Sequence, residues 1–143
     1  MVADRLGWVE RITAEIRRLP LSDLRAFQAD WRNVWAAESC LRRGLEALLD
    51  LGRHILSKAF GIGVTEYKEV ARRCSEQGIL TPADADLLRQ FAGYRNRMVH
   101  FYHEIGPDEL YEICRSGLAD LERVAAAYKA WVESHSRLLD DSL

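Results

Sequence analysis

The sequence predicts an all-α protein, an up-and-down bundle of four to five helices. Apolar residues recur three and four positions apart along most of the chain, which is the period of an amphipathic helix. No stretch shows the sustained alternation of apolar and polar residues that is typical of a half-buried strand. The three prolines and the glycines at 61, 63, 78 and 106 fall at the ends of the periodic segments, so the connections should be short. We therefore expect one domain over residues 1–143, with a frayed tail over about 134–143.

The first two predicted helices precede a Gly-Ile-Gly sequence. The first begins after Asp4, a capping residue, and is closed by Pro20. Its apolar residues are Leu6, Val9, Ile12, Ile16 and Leu19. The second is predicted to begin at Ser22 and to continue to about Phe60, where the Gly-Ile-Gly sequence interrupts it. Such a helix would be roughly 55 Å long and would span the whole bundle.

Three shorter helices are predicted after this break. The third begins near Thr65 and ends at Gly78. The fourth begins at Pro82, because a threonine followed by proline is a strong start signal, and it ends at the Gly-Pro pair 106–107. The last begins at Asp108. Its apolar stripe consists of Leu110, Ile113, Leu118, Leu121, Val124, Tyr128 and Trp131.

The composition excludes several classes of protein. The chain is 48% hydrophobic and 29% charged with a net charge of −2, which does not suit a disordered or collagen-like segment. The most apolar stretch, residues 45–60, is interrupted by charges, and no apolar signal region is present near the N-terminus. We therefore expect a cytoplasmic protein without a membrane partner. The cysteines, too far apart for a Cys-x-x-Cys metal site, are expected to be buried and reduced: Cys40, Cys74 and Cys114.

The fourth predicted helix carries the residues with the most distinctive chemistry. Its core stripe is predicted to be Leu87, Phe91, Tyr94, Met98, Phe101 and Ile105. At about 100° per residue, Asn96, His100 and His103 share the face opposite that stripe. Arg95 and Tyr102, seven residues apart, lie along one flank.

These residue types suit work on a phosphodiester. A histidine titrates near neutral pH and can donate or accept a proton, while an arginine fork binds phosphate oxygens and stabilises developing negative charge. Arginine with histidine and no carboxylate fits metal-free cleavage of RNA, in which the 2′-hydroxyl attacks phosphorus. On spacing alone, a solvated helix face is the more common interpretation. His100 and His103 could hold a metal with Glu104, but no second ligand cluster accompanies them, so no metal site is predicted.

The order of these residues is also that of a known family. The motif Arg95-Asn96-x-x-x-His100-x-Tyr102 resembles the Arg-Asn-x-x-x-His-x-Tyr signature of the HepT-like branch of the HEPN superfamily. The resemblance extends over about residues 25–131. The further similar segments are 46–54, Tyr67, 78–80 and 93–94.

This resemblance implies a fold, an activity and partners. HepT-like proteins are helical homodimers whose paired Arg-His motifs form a composite cleft. They are metal-independent endoribonuclease toxins of type II toxin–antitoxin pairs, need no cofactor, and pair with an MntA-type nucleotidyltransferase antitoxin. By this resemblance, Arg95 would bind phosphate, His100 would be the general acid and base, and Asn96 and His103 would support them. Tyr102 would accept AMP from the antitoxin.

Several alternatives stay open from the sequence. The chain could be a non-catalytic helical partner that binds, or is modified by, a nucleotidyltransferase, or a plain dimerisation bundle. Asp50 and His54, one helical turn apart, either add to the cleft or form a polar surface pair. Trp31 and Trp35 are expected to pack in the core or in a dimer interface rather than to stack on bases.

Overall fold

The computed structural model describes residues 2–100, of which His100 by its backbone alone, and residues 105–139. Within these ranges the chain forms helices and no strand, so the all-α prediction is confirmed. The described residues form seven helices rather than the predicted four to five. They are α1 (Val2–Arg17), α2 (Leu24–Gln28), α3 (Trp31–Phe60), α4 (Tyr67–Glu76), α5 (Pro82–His100), α6 (Pro107–Ser116) and α7 (Leu118–Ser134), followed by a 3₁₀ turn at Ser136–Leu138.

The predicted long helix from Ser22 to Phe60 is wrong in its first part. The chain breaks before α3, where Asp30 adopts an extended conformation with φ −129°. The Asp30 carboxylate accepts a hydrogen bond of 2.9 Å from the backbone N–H of Arg32. This N-cap starts a new helix of 30 residues, about 45 Å long.

The predicted last helix is likewise two helices, which meet at Gly117. Two backbone hydrogen bonds cross the junction, from Gly117 N–H to Ile113 O at 2.8 Å and from Leu121 N–H to Gly117 O at 3.1 Å. A Cβ on Gly117 would lie 2.5 Å from the Ile113 carbonyl oxygen, so this close approach requires glycine. Because the apolar spacing continues through the junction, periodicity gave no sign of the break.

The core surrounds α3, which packs against the other six helices. Tyr128 on α7 is fully buried and lies directly over Gly52 on α3. A side chain at Gly52 would overlap the Tyr128 hydroxyl and come within 2.8 Å of Val70 Cγ1. The glycine therefore lets α4 and α7 close over the middle of α3, and the site described below lies beside this packed centre.

Both tryptophans at the start of α3 are exposed, so of their two predicted environments the core of the protomer is wrong and a dimer interface stays a prediction. Trp31 is 58% exposed and Trp35 is 64% exposed, with ring centroids 6.5 Å apart. Trp35 lies about 120° around the helix from Leu41, which is fully buried. The apolar face of α3 was therefore predicted too wide at this end.

Cys74 and Cys114 are buried, as predicted, whereas Cys40 is only half-buried. The cysteines are free, and burial raises the pKa of both Cys74 and Cys114 to about 12, which keeps these thiols protonated. Within the predicted frayed tail, Leu139 is buried and the His135 and Trp131 rings stack with centroids 4.2 Å apart, while residues 140–143 lie outside the described residues. In the described part of the chain, no helix is long and apolar enough to cross a membrane.

Candidate functional site

Helix α5 faces the core through a different set of residues from the predicted stripe. Leu88 and Ala92 are fully buried together with Phe91, whereas Tyr94 and Met98 are half-buried. The buried face of α5 is therefore formed by Leu88, Phe91 and Ala92, which precede the motif that begins at Arg95. This arrangement turns the flank that carries Arg95 toward α3 and α4, where the side chain finds its partners.

Arg95 is held by a carboxylate and an aromatic ring. Its Nε donates to Glu46 Oε2 on α3 at 3.0 Å, and its Nη2 lies 3.0 Å from the same oxygen. Its guanidinium carbon lies 4.7 Å from the ring centroid of Tyr67, the first residue of α4, within the range of a cation–π contact. Its Nη1 makes a long contact of 3.5 Å with Asn96 Oδ1. The guanidinium is thereby fixed on two sides, while part of its donor set stays available.

A second set of contacts holds the Tyr67 ring. The Tyr67 hydroxyl donates to Asp50 Oδ1 at 2.9 Å, and Arg53 Nη2 lies 2.5 Å from the same oxygen. The Arg53 guanidinium carbon also lies 5.2 Å from the Tyr67 ring centroid. Burial, followed by the hydrogen bond to Asp50, raises the pKa of Tyr67 above its ordinary value. The phenol therefore stays neutral and continues to donate.

The charges around this site leave an excess of cations. Among the described residues, Glu46 pairs with Arg95 and, through its other oxygen at 3.2 Å, with Arg42. Asp50 lies near two arginines as well, Arg53 at 2.5 Å and Arg5 at 3.9 Å. Two carboxylates thus face four guanidinium groups, so the local field favours an anion.

A cleft of about 500 Å³ opens beside Arg95. Its lining consists of Arg53, Thr65, Glu66, Tyr67, Lys68, Arg95 and Asn96. Three of these side chains are cationic and one is a carboxylate, and none of the lining is aliphatic. A cleft of this kind suits a phosphate-bearing ligand better than an apolar one, because guanidinium and ammonium groups bind phosphate oxygens.

The predicted site residues divide into two groups. Arg95 and Asn96 lie together on the wall of the cleft. His100 is the last described residue of α5 and is described by its backbone alone. Tyr102 and His103 lie outside the described residues.

Glu46 and Tyr67 contact Arg95, a role that the sequence alone did not predict for them. Glu46 lies 49 positions from Arg95 along the chain, so helix spacing carries no information about this contact. The available signal was the family resemblance, which included both positions but gave neither a role.

Asp50 and His54 do not form a pair in the described structure. Asp50 contacts Tyr67 and Arg53, while the Nε2 of His54 is buried without a hydrogen-bond partner among the described residues. Burial, with smaller contributions from Arg5 and Lys58, lowers the pKa of His54, so this imidazole is neutral at pH 7. Asp50 therefore adds to the site through Tyr67. In the described part of the chain, no three His, Cys, Asp or Glu side chains are grouped as a metal site would require.

Solved structures of other proteins share the fold of this chain, and comparison of sequences identifies its family. A solved complex of a tri-AMPylated HEPN toxin from Shewanella oneidensis with an MNT antitoxin matches with a TM-score of 0.81, at 22% identity over 90% of this chain and 96% of that one. The cytosolic protein YutE from Bacillus subtilis, of unknown function, matches with a TM-score of 0.78, at 18% identity over 93% of this chain and 89% of its own. These likenesses establish a shared HEPN-like fold.

The sequence comparisons go further. The tRNA nuclease HepT of Aphanizomenon flos-aquae is 27% identical over 112 residues, which cover 78% of this chain and 76% of that protein. The family described as ribonuclease HepT-like matches residues 9–128. Because that match spans most of the sequence, the protein belongs to the HepT-like family.

Proposed function

We propose that this protein is a metal-independent endoribonuclease toxin of a type II toxin–antitoxin pair. The observation that carries the proposal is the cleft beside Arg95, a cationic site on the helix that ends at His100, in a chain that belongs to the HepT-like family. The named nuclease activity of the Aphanizomenon flos-aquae relative supports RNA, and tRNA in particular, as the substrate class.

In this proposal the cleft binds the RNA backbone and the motif performs the reaction. The 2′-hydroxyl loses its proton and attacks phosphorus, the bond to the 5′-oxygen breaks, and the leaving oxygen takes up a proton. The products are a 2′,3′-cyclic phosphate and a free 5′-hydroxyl. Arg95 binds a non-bridging phosphate oxygen and stabilises the charge that develops there, and His100 transfers the protons. Asn96 and His103 orient these two groups.

The geometry of α5 favours a site shared between two copies of the chain. Arg95 and His100 are five residues apart, which separates them by about 7.5 Å along the helix and about 140° around it. Positions 95 and 100 therefore fall on different faces of α5, and in the proposal a facing second copy of the chain supplies the complementary pair. The exposure of Val99, an apolar residue at 41% in the same turn, fits such an interface.

Cleavage of RNA in EDTA by the purified protein tests this function. Wild type is expected to cleave, and His100→Ala is expected to abolish cleavage while the protein remains folded by circular dichroism. An activity that appears only when a divalent metal is added, or that survives His100→Ala unchanged, would contradict the mechanism.

A second candidate is a non-catalytic partner of a nucleotidyltransferase. The observation behind this candidate is that the toxin in the Shewanella oneidensis complex is AMPylated and bound to an MNT antitoxin. In our main proposal Tyr102 accepts AMP and the modification neutralises the nuclease. Intact-mass measurement after co-expression with a minimal nucleotidyltransferase is expected to show AMP adducts that disappear in Tyr102→Phe. Adducts on a wild-type protein that never cleaves RNA when unmodified would favour the partner role.

A further inference from the structure

We propose that Asp50 and Tyr67 are positioning residues, which act on the reaction by holding the Arg95 guanidinium in place. This inference rests on the proposed function, because it assigns roles within the same site. Neither side chain needs to touch the substrate phosphate. The path of contact runs from Asp50 to the Tyr67 hydroxyl and from the Tyr67 ring to Arg95.

Glu46 alone does not fix Arg95. Both the Nε and the Nη2 of Arg95 approach one oxygen of Glu46, so the guanidinium can pivot about that oxygen. The Tyr67 ring, 4.7 Å from the guanidinium carbon, limits this pivot from a second side. A fork aimed at a phosphate must be held in both directions, because small displacements of a catalytic group cost much of its effect.

Asp50 in turn fixes the Tyr67 ring. The Tyr67 hydroxyl donates to Asp50 Oδ1 at 2.9 Å, and the same oxygen is 2.5 Å from Arg53. Donation to a carboxylate makes the phenol more electron-rich, which strengthens its attraction for a cation over the ring. Asp50 and Glu46 lie one turn apart on α3, so this helix holds Arg95 directly through Glu46 and indirectly through Asp50 and Tyr67.

Steady-state cleavage of RNA by position-67 variants tests this assignment. Tyr67→Leu removes the ring and should lower kcat about tenfold, whereas Tyr67→Phe keeps the ring and should lower kcat about threefold. In both variants KM should stay within about twofold of wild type, since binding of the RNA backbone is spread over the cleft. Asp50→Asn, which retains an acceptor for the hydroxyl, should lose less activity than Asp50→Ala.

The matched control is Tyr111→Phe. The Tyr111 hydroxyl donates to the Leu21 carbonyl oxygen at 2.6 Å, so this variant also loses one tyrosine hydrogen bond, at a buried position away from the cleft. It should lower Tm and leave kcat unchanged. An equal loss of kcat in Tyr111→Phe and Tyr67→Phe would reduce the role of Tyr67 to general stability.

A measurement that needs no activity separates this inference from the proposed function. The NMR signal of the Arg95 Nε–H, assigned by its absence in Arg95→Lys, should exchange slowly in wild type because that group is donated to Glu46. Tyr67→Leu should speed the exchange about tenfold, and Tyr111→Phe should not. Unchanged exchange in Tyr67→Leu overturns the positioning role, even in a protein that cleaves RNA. Conversely, a wild type that cleaves no RNA overturns the nuclease proposal and leaves the NMR result to decide the positioning.

Discussion

The Arg95–Glu46 pair joins α5 to α3, and the Arg17–Glu122 pair joins α1 to α7. In the second pair the two nitrogens of the fork each meet a different carboxylate oxygen, with Nη1 at 3.1 Å from Oε2 and Nη2 on Oε1. In the first pair both arginine nitrogens approach one oxygen, and the other oxygen belongs to Arg42. The Arg17–Glu122 pair thus uses both carboxylate oxygens, whereas among the described residues the Arg95 guanidinium keeps donors that Glu46 does not use.

The two ion pairs also differ in how exposed they are and in the kind of cavity beside them. Arg17 and Glu122 are each 48% exposed, and Glu122 lines a groove of about 270 Å³ whose lining is half apolar. Arg95 and Glu46 are each 24% exposed and lie at the cationic cleft. A closed, solvated pair ties helices together weakly, whereas a half-buried arginine with remaining donors and neighbouring cations can bind an anion. The geometry of the contact, rather than the presence of an ion pair, distinguishes the two roles.

Replacing Arg95 or Arg17 with alanine should give the largest difference in RNA cleavage between the two ion pairs. Arg95→Ala is expected to reduce RNA cleavage about 10²–10³-fold, the usual effect of losing a group that stabilises charge in a transition state. Arg17→Ala should leave the cleavage rate within about twofold of wild type, because its interaction is a surface ion pair. Single-turnover rates at equal protein concentration measure both. Comparable losses in the two variants would remove the distinction between the pairs.

Neutralising Glu46 or Glu122 should give a smaller difference in kcat between the two pairs. Glu46→Gln keeps one acceptor but weakens the support of Arg95, and we expect kcat to fall about tenfold with little change in KM. Glu122→Gln should not affect kcat. Steady-state kinetics on one RNA substrate checks both variants. A rise in activity in Glu46→Gln would mean that Glu46 restrains Arg95 instead of supporting it.

Two exposed lysines provide a test of the cleft itself. Lys68 lines the cationic cleft, and Lys129 lines the groove beside Glu122. Lys68→Gln should weaken RNA binding and reduce the slope of log K against log salt by about 0.7, the value for one phosphate contact with a single strand. Lys129→Gln should change neither quantity. Filter binding at several salt concentrations with a catalytically inactive His100→Ala background gives the slopes.

The smallest expected effect concerns acid stability. The hydrogen bond with Arg17 lowers the pKa of Glu122 below its ordinary value. The pair therefore stabilises the fold above the pKa that Glu122 has in the unfolded chain, and this contribution is lost as pH falls through the lower, folded value. Since both side chains are about half exposed, the contribution should be at most about 0.5 kcal/mol. Thermal melts of wild type and Glu122→Gln should differ slightly at pH 7 and converge below about pH 4. A difference that grows on acidification would contradict this sign.

Much of the fold could be predicted because its signals are local. The threonine before Pro82 marks the start of α5, and the Gly-Pro pair 106–107 marks the boundary before the next helix, through chemistry that the sequence shows directly. The break before α3 also had a local signal, the capping residue Asp30, but the apolar spacing that runs past it dominated the prediction. At Gly117 the spacing continues through the junction, so periodicity could not detect it.

The site could be predicted only in part, for a different reason. Arg95 and Asn96 were found through a motif within one helix. Glu46 and Tyr67 reach Arg95 from α3 and α4, and such contacts depend on how the helices pack, which a single helical wheel does not contain. The exposure of Trp31 has the same origin, since it depends on which side of α3 other helices cover.

Attack by the 2′-hydroxyl can be tested with a short RNA that carries one 2′-deoxy sugar at the position cut in the unmodified strand. With EDTA present, the unmodified RNA should be cleaved to a 2′,3′-cyclic phosphate, and the 2′-deoxy strand should stay intact at that position, because the attacking hydroxyl is missing. Cleavage of the deoxy-substituted strand at the same bond would show that another nucleophile acts, and the mechanism assigned to Arg95 and His100 would have to be abandoned.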